Sequence, residues 1–580
     1  MEWTTACPDW ETRLIERRSI IPPPIFRDPA EHALAIFKQL KVVDLPKVWD
    51  AEIEEWRPPT FGECSEEWVF DFVRAIFGGC DPETGKQLIR EYGLLISKKN
   101  TKSTIAAGIM LTALILCWRE EEEHLILAPT KEVADNSFKP AAGMIRTDEE
   151  LSALFHIQDH IRTITHRVNR NSLKVVAADT DTVSGKKSGR ILVDELWLFG
   201  KRANAAAMFL EALGGQVSRD EGWVIFLTTQ SDDPPAGVFR QKLNYWRDVR
   251  DGKINDPKTL GILYEFPAAM VMAKAYMRPE NFYITNPNLG RSVSAEWLQD
   301  QLRLYEGERD GTFQKFLAKH LNIEIGINLR TDRWAGADFW ISAGLPERVE
   351  LFDLLEQCEV IAAGIDGGGL DDLLGLGAVG RMCGSRNWLA WAHAWAHPSV
   401  LERRKEIAPA LHDFEKAGDL TIVSRIGDDV VQAAEYVARI ERAGLLYKAG
   451  VDPAGIGAVL DALAAAKVPE DKVIGISQGW KLSGAIKTTE RRIAAASGQR
   501  IDGDESPDGA LYHGGQPLLT WAVGNARVVP VGNAVNITKQ VSGTAKIDPL
   551  MALFNAVSLM GLNPPAQGQS VYETRGIRFL

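Results

Sequence analysis

Short apolar runs alternate with amphipathic stretches through the first half of this chain. Tyr92-Gly-Leu-Leu-Ile96 reads as a buried strand, and Ile105 to Trp118, apolar on nearly every face, reads as a buried helix. His124-Leu-Ile-Leu-Ala-Pro129, followed by a helix from about Lys131, continues the pattern. Leu173-Lys-Val-Val-Ala-Ala178, Arg190-Ile-Leu-Val-Asp-Glu195 and Trp223-Val-Ile-Phe-Leu-Thr228 are further short runs set between helical or polar segments. Such alternation predicts a parallel sheet with helices on both faces and a ligand at the carboxyl ends of the strands. Ahead of it, Glu66 to Phe77 is a strong amphipathic helix, and residues 1–60 are rich in Pro and Trp with one helical stretch, Glu31 to Leu40.

From Val360 the pattern changes. Val360-Ile-Ala-Ala-Gly-Ile-Asp366, Leu374-Gly-Leu-Gly-Ala-Val-Gly380 and Trp388-Leu-Ala-Trp-Ala-His-Ala-Trp395 are successive apolar runs with short breaks, which predicts an antiparallel meander. Leu420 to Val423, a helix from about Asp429 to Ala443, Leu445 to Val451 and a helix over Ile456 to Ala466 extend it with βα units. A meander extended in this way, with an acid closing its first strand, is similar to the RNase H fold. Lys546 to Ala556 starts a last helix, with Pro549 suited to its first turn.

Length and composition bound the picture. A chain of 580 residues exceeds one ordinary core and should form two or three domains. Hydrophobic content of 45% and charged content of 25% are those of a soluble globular protein, without an apolar run long enough to span a membrane. The N-terminus lacks the basic and apolar regions of a signal peptide. Six cysteines are scattered without a C-x-x-C pair, so they are expected to be reduced and structural rather than zinc ligands. A net charge of −12 argues against binding nucleic acid over the whole surface and leaves a local basic channel open.

The chemistry centres on Ser97-Lys-Lys-Asn-Thr-Lys-Ser-Thr104, which joins the first buried strand to the first buried helix. Backbone N–H groups at a helix N-terminus receive phosphate oxygens, a lysine meets the terminal phosphates, and a hydroxyl holds Mg²⁺. Lys102 and Ser103 fit the last two roles. The G-x-x-x-x-G-K-[ST] pattern has glycines where this chain carries Ile96 and Thr101. Asp194 and Glu195, closing a later strand, suit a metal ligand and a water-polarising acid; Thr228-Thr-Gln-Ser231 could sense the γ-phosphate. Arg162, Arg167 and Arg170 are candidates for an arginine that stabilises γ-phosphate charge in cis or from a neighbour. In the second half, Asp366, Asp452 and Asp548 are the expected carboxylates of a two-metal phosphodiester site, with Asp372 as a fourth candidate. Lys186-Lys187, Arg403-Arg404-Lys405 and, ranked highest, Arg491-Arg492 could track DNA phosphates, the last pair leading into a polar loop over Gln499 to Asp508.

Taken in order, the loop, Leu127-Ala-Pro-Thr-Lys131, Val193-Asp-Glu195 and Thr285-Asn-Pro-Asn-Leu-Gly290 resemble the large terminase subunits of tailed bacteriophages. Leu519-Thr-Trp-Ala-Val-Gly-Asn525, Gly532-Asn533, Lys539 and Ile547-Asp548 extend the resemblance to the C-terminal half. In that family the loop commonly reads Arg-Lys-Asn-Gly-Lys-Ser, so Lys98 replaces an arginine and Thr101 a glycine. The resemblance implies a P-loop (RecA/ASCE-like) ATPase domain over 61–345, with 1–60 packing on it, and an RNase H-like nuclease domain over 346–580. It implies ATP bound by Lys98, Asn100, Thr101, Lys102, Ser103, Thr104 and Asp194, Mg²⁺ on Ser103 and Asp194, and Mg²⁺ or Mn²⁺ on Asp366, Asp452 and Asp548. The implied partners are double-stranded viral DNA, a terminase small subunit, the prohead portal and further copies in a ring. The implied setting is the host cytoplasm with transient docking on the portal, and not the mature virion. A helicase or repair ATPase with an attached nuclease is the alternative from another class, and a catalytically silent assembly scaffold a third.

Overall fold

The computed structural model describes residues 3–52, 54–177, 188–306, 312–325, 334–453, 457–497, 509–531, 534–539 and 546–567. Lys186-Lys187, Gln499 to Asp508 (the polar loop) and Gly532-Asn533 lie outside the described residues. The chain divides into two units, Met1–Ile325 and Gly326–Leu580.

In the first unit a small antiparallel hairpin, β1 (Val48–Asp50) and β2 (Glu55–Arg57), precedes the main sheet. That sheet contains β3 (Glu91–Leu95), β4 (Glu123–Ala128), β5 (Phe155–Gln158), β6 (Thr163–His166), β7 (Ser172–Ala177), β8 (Ser188–Val193), β9 (Trp223–Thr228) and β10 (Thr259–Leu263). Its order is β10-β3-β9-β8-β4-β7-β6-β5, parallel from β10 to β7 and antiparallel at the β6 and β5 edge. One strand, β9, therefore stands between the strand that enters the loop and the strand that ends in Asp194, which is the ASCE arrangement of a P-loop domain. Burial on both faces explains the unbroken apolar runs: every residue of β9 and β10 is buried. The strand β10 and the β5–β6 hairpin are additions that the sequence pattern did not separate from neighbouring loops. The N-terminal segment packs on this unit, with Trp3 Nε1 donating to Pro257 O at 3.0 Å and the Arg250 guanidinium 3.8 Å from the Trp10 ring centre.

The second unit is built on β11 (Cys358–Gly367), β12 (Leu374–Met382) and β13 (Trp388–Ala396), the expected antiparallel meander. Added to it are β14 (Leu420–Ile422), β15 (Leu446–Val451), β16 (Val473–Gly475) and β17 (Leu511–His513). The order β14-β13-β12-β11-β15-β16, with β15 parallel to β11 and β16 parallel to β15, is the RNase H-like arrangement. A separate hairpin pairs β18 (Ala526–Val531) with β19 (Ala534–Lys539). One face of the main sheet packs on helices over Asp428–Arg442 and Gly457–Ala465, the other on the Asp548–Met560 helix. Glycines in the strands make this last contact possible: a Cβ at Gly364 would lie 2.1 Å from Ala552 O, and one at Gly375 2.7 Å from Asp548 O. Residues 334–343, assigned from the sequence to the first domain, pack here instead, because Trp334 and Trp340 are fully buried in the core of this unit.

Candidate functional site

The phosphate loop grows out of β3. Ile96 N donates to Thr228 O at 3.1 Å, Ser97 N to Thr285 O at 3.3 Å and Lys98 N to Lys319 O at 2.7 Å, so the loop backbone is tied to three distant segments. Lys99 and Thr101 take left-handed backbone, φ 74° and 59°, and the Lys102–Ile115 helix begins directly after. Thr101 gives that helix no side-chain cap, leaving its first N–H groups free of one for a phosphate. Asn100 is fully buried, donating to Ser97 O and Asn286 Oδ1 and accepting from Asn288 N, whereas the Lys98 side chain is exposed.

The acids close on the loop from β8. Lys102 Nζ donates to Glu195 Oε1 at 2.6 Å, and Ser103 Oγ donates to Asp194 Oδ2 at 2.9 Å. Ser137 Oγ approaches the same Asp194 oxygen at 3.3 Å. Burial pushes the Asp194 carboxyl up to about 6 against the pull of Lys102. Burial opposes the charge of Glu195 too, but Lys102, Trp197 and Lys319 together hold its carboxyl below the usual range. Glu195 sits at φ 56°, and the Trp197 indole N–H donates to its other oxygen. Ser97 Oγ and both polar atoms of the Gln230 carboxamide are buried without a hydrogen-bond partner. Beside the start of the helix a cavity of about 310 Å³ opens, lined by Val42, Leu45, Phe61, Val69, Thr101 and Thr104 among others. Its apolar walls come from the N-terminal segment and from the Glu67–Phe77 helix.

The second unit gathers its acids at one end of the sheet. Ile365 and Val451 are register partners on β11 and β15, so Asp366 and Asp452, the next residues, stand side by side on neighbouring strands. The Asp548–Met560 helix begins over the same end. Burial, reinforced by Asp372 and Asp366, pushes the Asp548 carboxyl well above its ordinary value, and Lys546 only partly opposes this. Lys546, itself buried, donates to Asp372 Oδ1 at 2.5 Å and to Asp371 O at 2.8 Å. As the side chains stand, no three His, Cys, Asp or Glu residues among those described close up to metal-holding distance.

The family model for the terminase large subunit ATPase domain matches residues 68–248, the span that carries the loop, Asp194 and Glu195. Residues 68–248 are a terminase large-subunit ATPase domain.

Among solved structures, the large terminase of bacteriophage HK97 is similar at 19% identity, over 91% of this chain and 99% of that one, with a TM-score of 0.45. The large terminase of a thermophilic bacteriophage, in complex with ADP, follows at 12% identity over 82% and 95% of the two chains, with a TM-score of 0.30. The large terminase nuclease from thermophilic phage G20c is 12% identical over 39% of this chain and 96% of that one, with a TM-score of 0.24. No curated protein matches.

Within the terminase ATPase domain the structure separates the arginine candidates. Arg167 and Arg170 flank the β6–β7 turn at the edge where β4 begins, opposite the phosphate loop, which excludes them from acting in cis. Arg162 lies at the other edge, where its guanidinium pairs with Asp135 at 2.5 Å. In the second unit Arg492 is not a free phosphate contact: its guanidinium carbon lies 3.4 Å from the Trp388 ring centre, and Nη1 donates to Arg386 O and Gly509 O. Arg404 pairs with Asp371 at 2.7 Å, while Arg491 is exposed. Lys319 and Lys546 are cations beside these candidate residues that sequence reasoning missed. Lys319 sits on the Trp197 ring, donates to Gln230 O at 2.9 Å and, through desolvation, has its ammonium lowered to about 7. Lys546 lies next to Ile547-Asp548, which the resemblance marks, but neither lysine matches a spacing rule.

Proposed function

We propose that this chain is the large subunit of a tailed-bacteriophage terminase. ATP hydrolysis in the first unit would drive double-stranded viral DNA into the prohead, and a two-metal endonuclease in the second would cut concatemeric DNA at the start and end of packaging. The observation that carries this reading is the meeting of Lys102, Ser103, Asp194 and Glu195 at one loop inside the matched segment 68–248.

The residues divide the work as follows. The N–H groups of the loop and of the first helical turn receive phosphate oxygens, and Lys102 exchanges its Glu195 partner for the terminal phosphate. Glu195, released from that ion pair, orients the attacking water and takes its proton. Ser103 and Asp194 present adjacent hard oxygens, a donor set that fits Mg²⁺. The cavity beside Thr101 and Thr104 has the apolar walls and the position for the adenine nucleoside. In the second unit Asp548 Oδ2 is buried without a partner, and its repulsion by Asp366 and Asp372 is of the kind a divalent cation relieves, so these acids with Asp452 fit Mg²⁺ or Mn²⁺. When bound, such ions supply a polarised water and neutralise the leaving oxygen. A terminase small subunit, the prohead portal and further copies of the chain in a ring are the partners of this reading, met in the host cytoplasm.

Lys102→Ala tests it. Phosphate release should fall by at least ~10²-fold, as when a single transition-state donor is removed elsewhere, while metal-dependent nicking of DNA continues. A Lys102→Ala protein that hydrolyses ATP normally, alongside Lys98→Ala or Lys99→Ala proteins that do not, would overturn the assignment.

A further inference from the structure

The loop departs from its pattern at Thr101, and the structure shows how the backbone is nevertheless held. Lys99 and Thr101 both lie in the left-handed region, where a residue with a Cβ is disfavoured by roughly tenfold relative to glycine. One segment, residues 286–292, grips this backbone from outside the loop. Asn288 Nδ2 donates to Asn100 O and to Thr101 Oγ1, each at 3.1 Å, and Asn288 N donates to Asn100 Oδ1 at 3.0 Å. Asn286 Oδ1 accepts from Asn100 Nδ2 at 2.9 Å, and Ser292 Oγ donates to Lys99 O at 2.7 Å. Both strained residues and the asparagine between them are thereby tied.

The orientation of Asn288 is itself decided by a neighbour. Trp68 Nε1 donates to Asn288 Oδ1 at 2.8 Å, and an indole N–H can only donate. The carboxamide oxygen must face Trp68, so the amide N–H groups must face the loop. Asn288 is buried, and with Arg291 and Ser292 it also lines the cavity beside the loop. Asn286 anchors the segment by donating to Phe282 O and His320 O at 3.1 and 3.0 Å.

We propose that Asn288 is a positioning residue for nucleotide binding, replacing the missing loop glycine by holding Asn100 and Thr101 in the conformation that receives phosphate. This rests on the reading of the loop as the ATP site. It makes a specific demand: the need for Asn288 should vanish when position 101 becomes glycine, because the left-handed backbone then carries no penalty.

The test is a double-mutant cycle on the full chain, read by titration with a fluorescent ATP analogue and by KM and kcat for phosphate release. Asn288→Asp keeps the shape and the acceptor for Trp68 but cannot donate to the loop. It should weaken nucleotide binding about tenfold, in line with the left-handed penalty, and raise KM more than it lowers kcat. Thr101→Gly sets the reference for the second arm of the cycle, and Thr101→Gly/Asn288→Asp should bind within about threefold of Thr101→Gly. An equal loss from Asn288→Asp in both backgrounds, or no loss at all, overturns the proposal. If Asn288→Asp does not fold, Trp68→Phe asks the same question by removing the donor that orients the amide, and its loss must likewise be relieved by Thr101→Gly. Failure of the parent protein to bind nucleotide would instead sink the ATP-site reading.

Discussion

Lys102 Nζ donates to Glu195 Oε1 across 2.6 Å, tying the lysine of the phosphate loop to the acid that closes β8, 93 residues later in the chain. Burial disfavours the charge of Lys102, but Glu195 and Asp194 more than offset it and hold the ammonium protonated. The pair therefore holds in one contact both charges that the proposed hydrolysis needs.

Glu195→Gln follows from that contact. The amide cannot take a proton from water, so turnover should fall by about 10²–10⁴-fold. Affinity should stay within about threefold or tighten, because Lys102 loses its competing ion-pair partner. Fluorescent-nucleotide titration beside single-turnover hydrolysis checks this, and a loss of affinity matching the loss of rate would make Glu195 a structural residue.

Asp548→Asn should separate cleavage from stability. The carboxylate is buried and repelled by Asp372 and Asp366, so replacing it with an amide removes a charge that the fold resists. Melting in EDTA should shift upward, by roughly 1–2 kcal/mol of stability on the scale of an unsatisfied buried group, while metal-dependent nicking is lost. A lower melting temperature with cleavage intact would remove Asp548 from the site.

Arg492→Ala should act on the fold rather than on DNA. Its guanidinium stacks on Trp388 and bonds two carbonyls, contacts worth about 1–2 kcal/mol together. The salt dependence of DNA binding should keep its slope, whereas a basic residue on a phosphate would change that slope by about 0.9 when removed. Urea denaturation and binding titrations at several salt concentrations distinguish the two outcomes.

Acid should destabilise the second unit through His513. Desolvation lowers its pKa from 6.5 to about 4, and its ring lies stacked on Trp340 with Nε2 2.7 Å from Trp340 O. The folded state refuses a proton that the unfolded chain accepts below pH 6.5. Stability is thus fully present above that pH and is lost as pH falls toward 4, at up to about 1.4 kcal/mol per pH unit for one group. His393, also lowered to about 4 by burial, adds in the same direction. Urea titrations of His513→Gln across this range should show a shallower pH slope than the parent, and an unchanged slope would assign the acid sensitivity elsewhere.

The sequence by itself determined the central strands of the two sheets. Fully buried parallel strands must be apolar along their whole length, and short polar breaks between apolar runs leave room only for antiparallel neighbours, so β3, β4, β7, β8, β9 and the β11–β13 meander were legible from local pattern. The meeting of the loop with Asp194 and Glu195 was legible for the same reason, since the carboxyl ends of parallel strands have a fixed place in the pattern. The tertiary structure alone decided what lies across from them. Asn288 reaches Asn100 over 188 residues, Lys546 reaches Asp372 over 174, and Lys319 reaches Gln230 over 89. Arg492 reads from the sequence as a cation for DNA phosphates, whereas in the fold it stacks on Trp388, far away in sequence. Periodicity reports which face of an element is buried, because that depends on the spacing of neighbours along one chain segment. It carries no record of which distant polar group completes a buried side chain's hydrogen bonds, and these partners hold the loop and balance the acids.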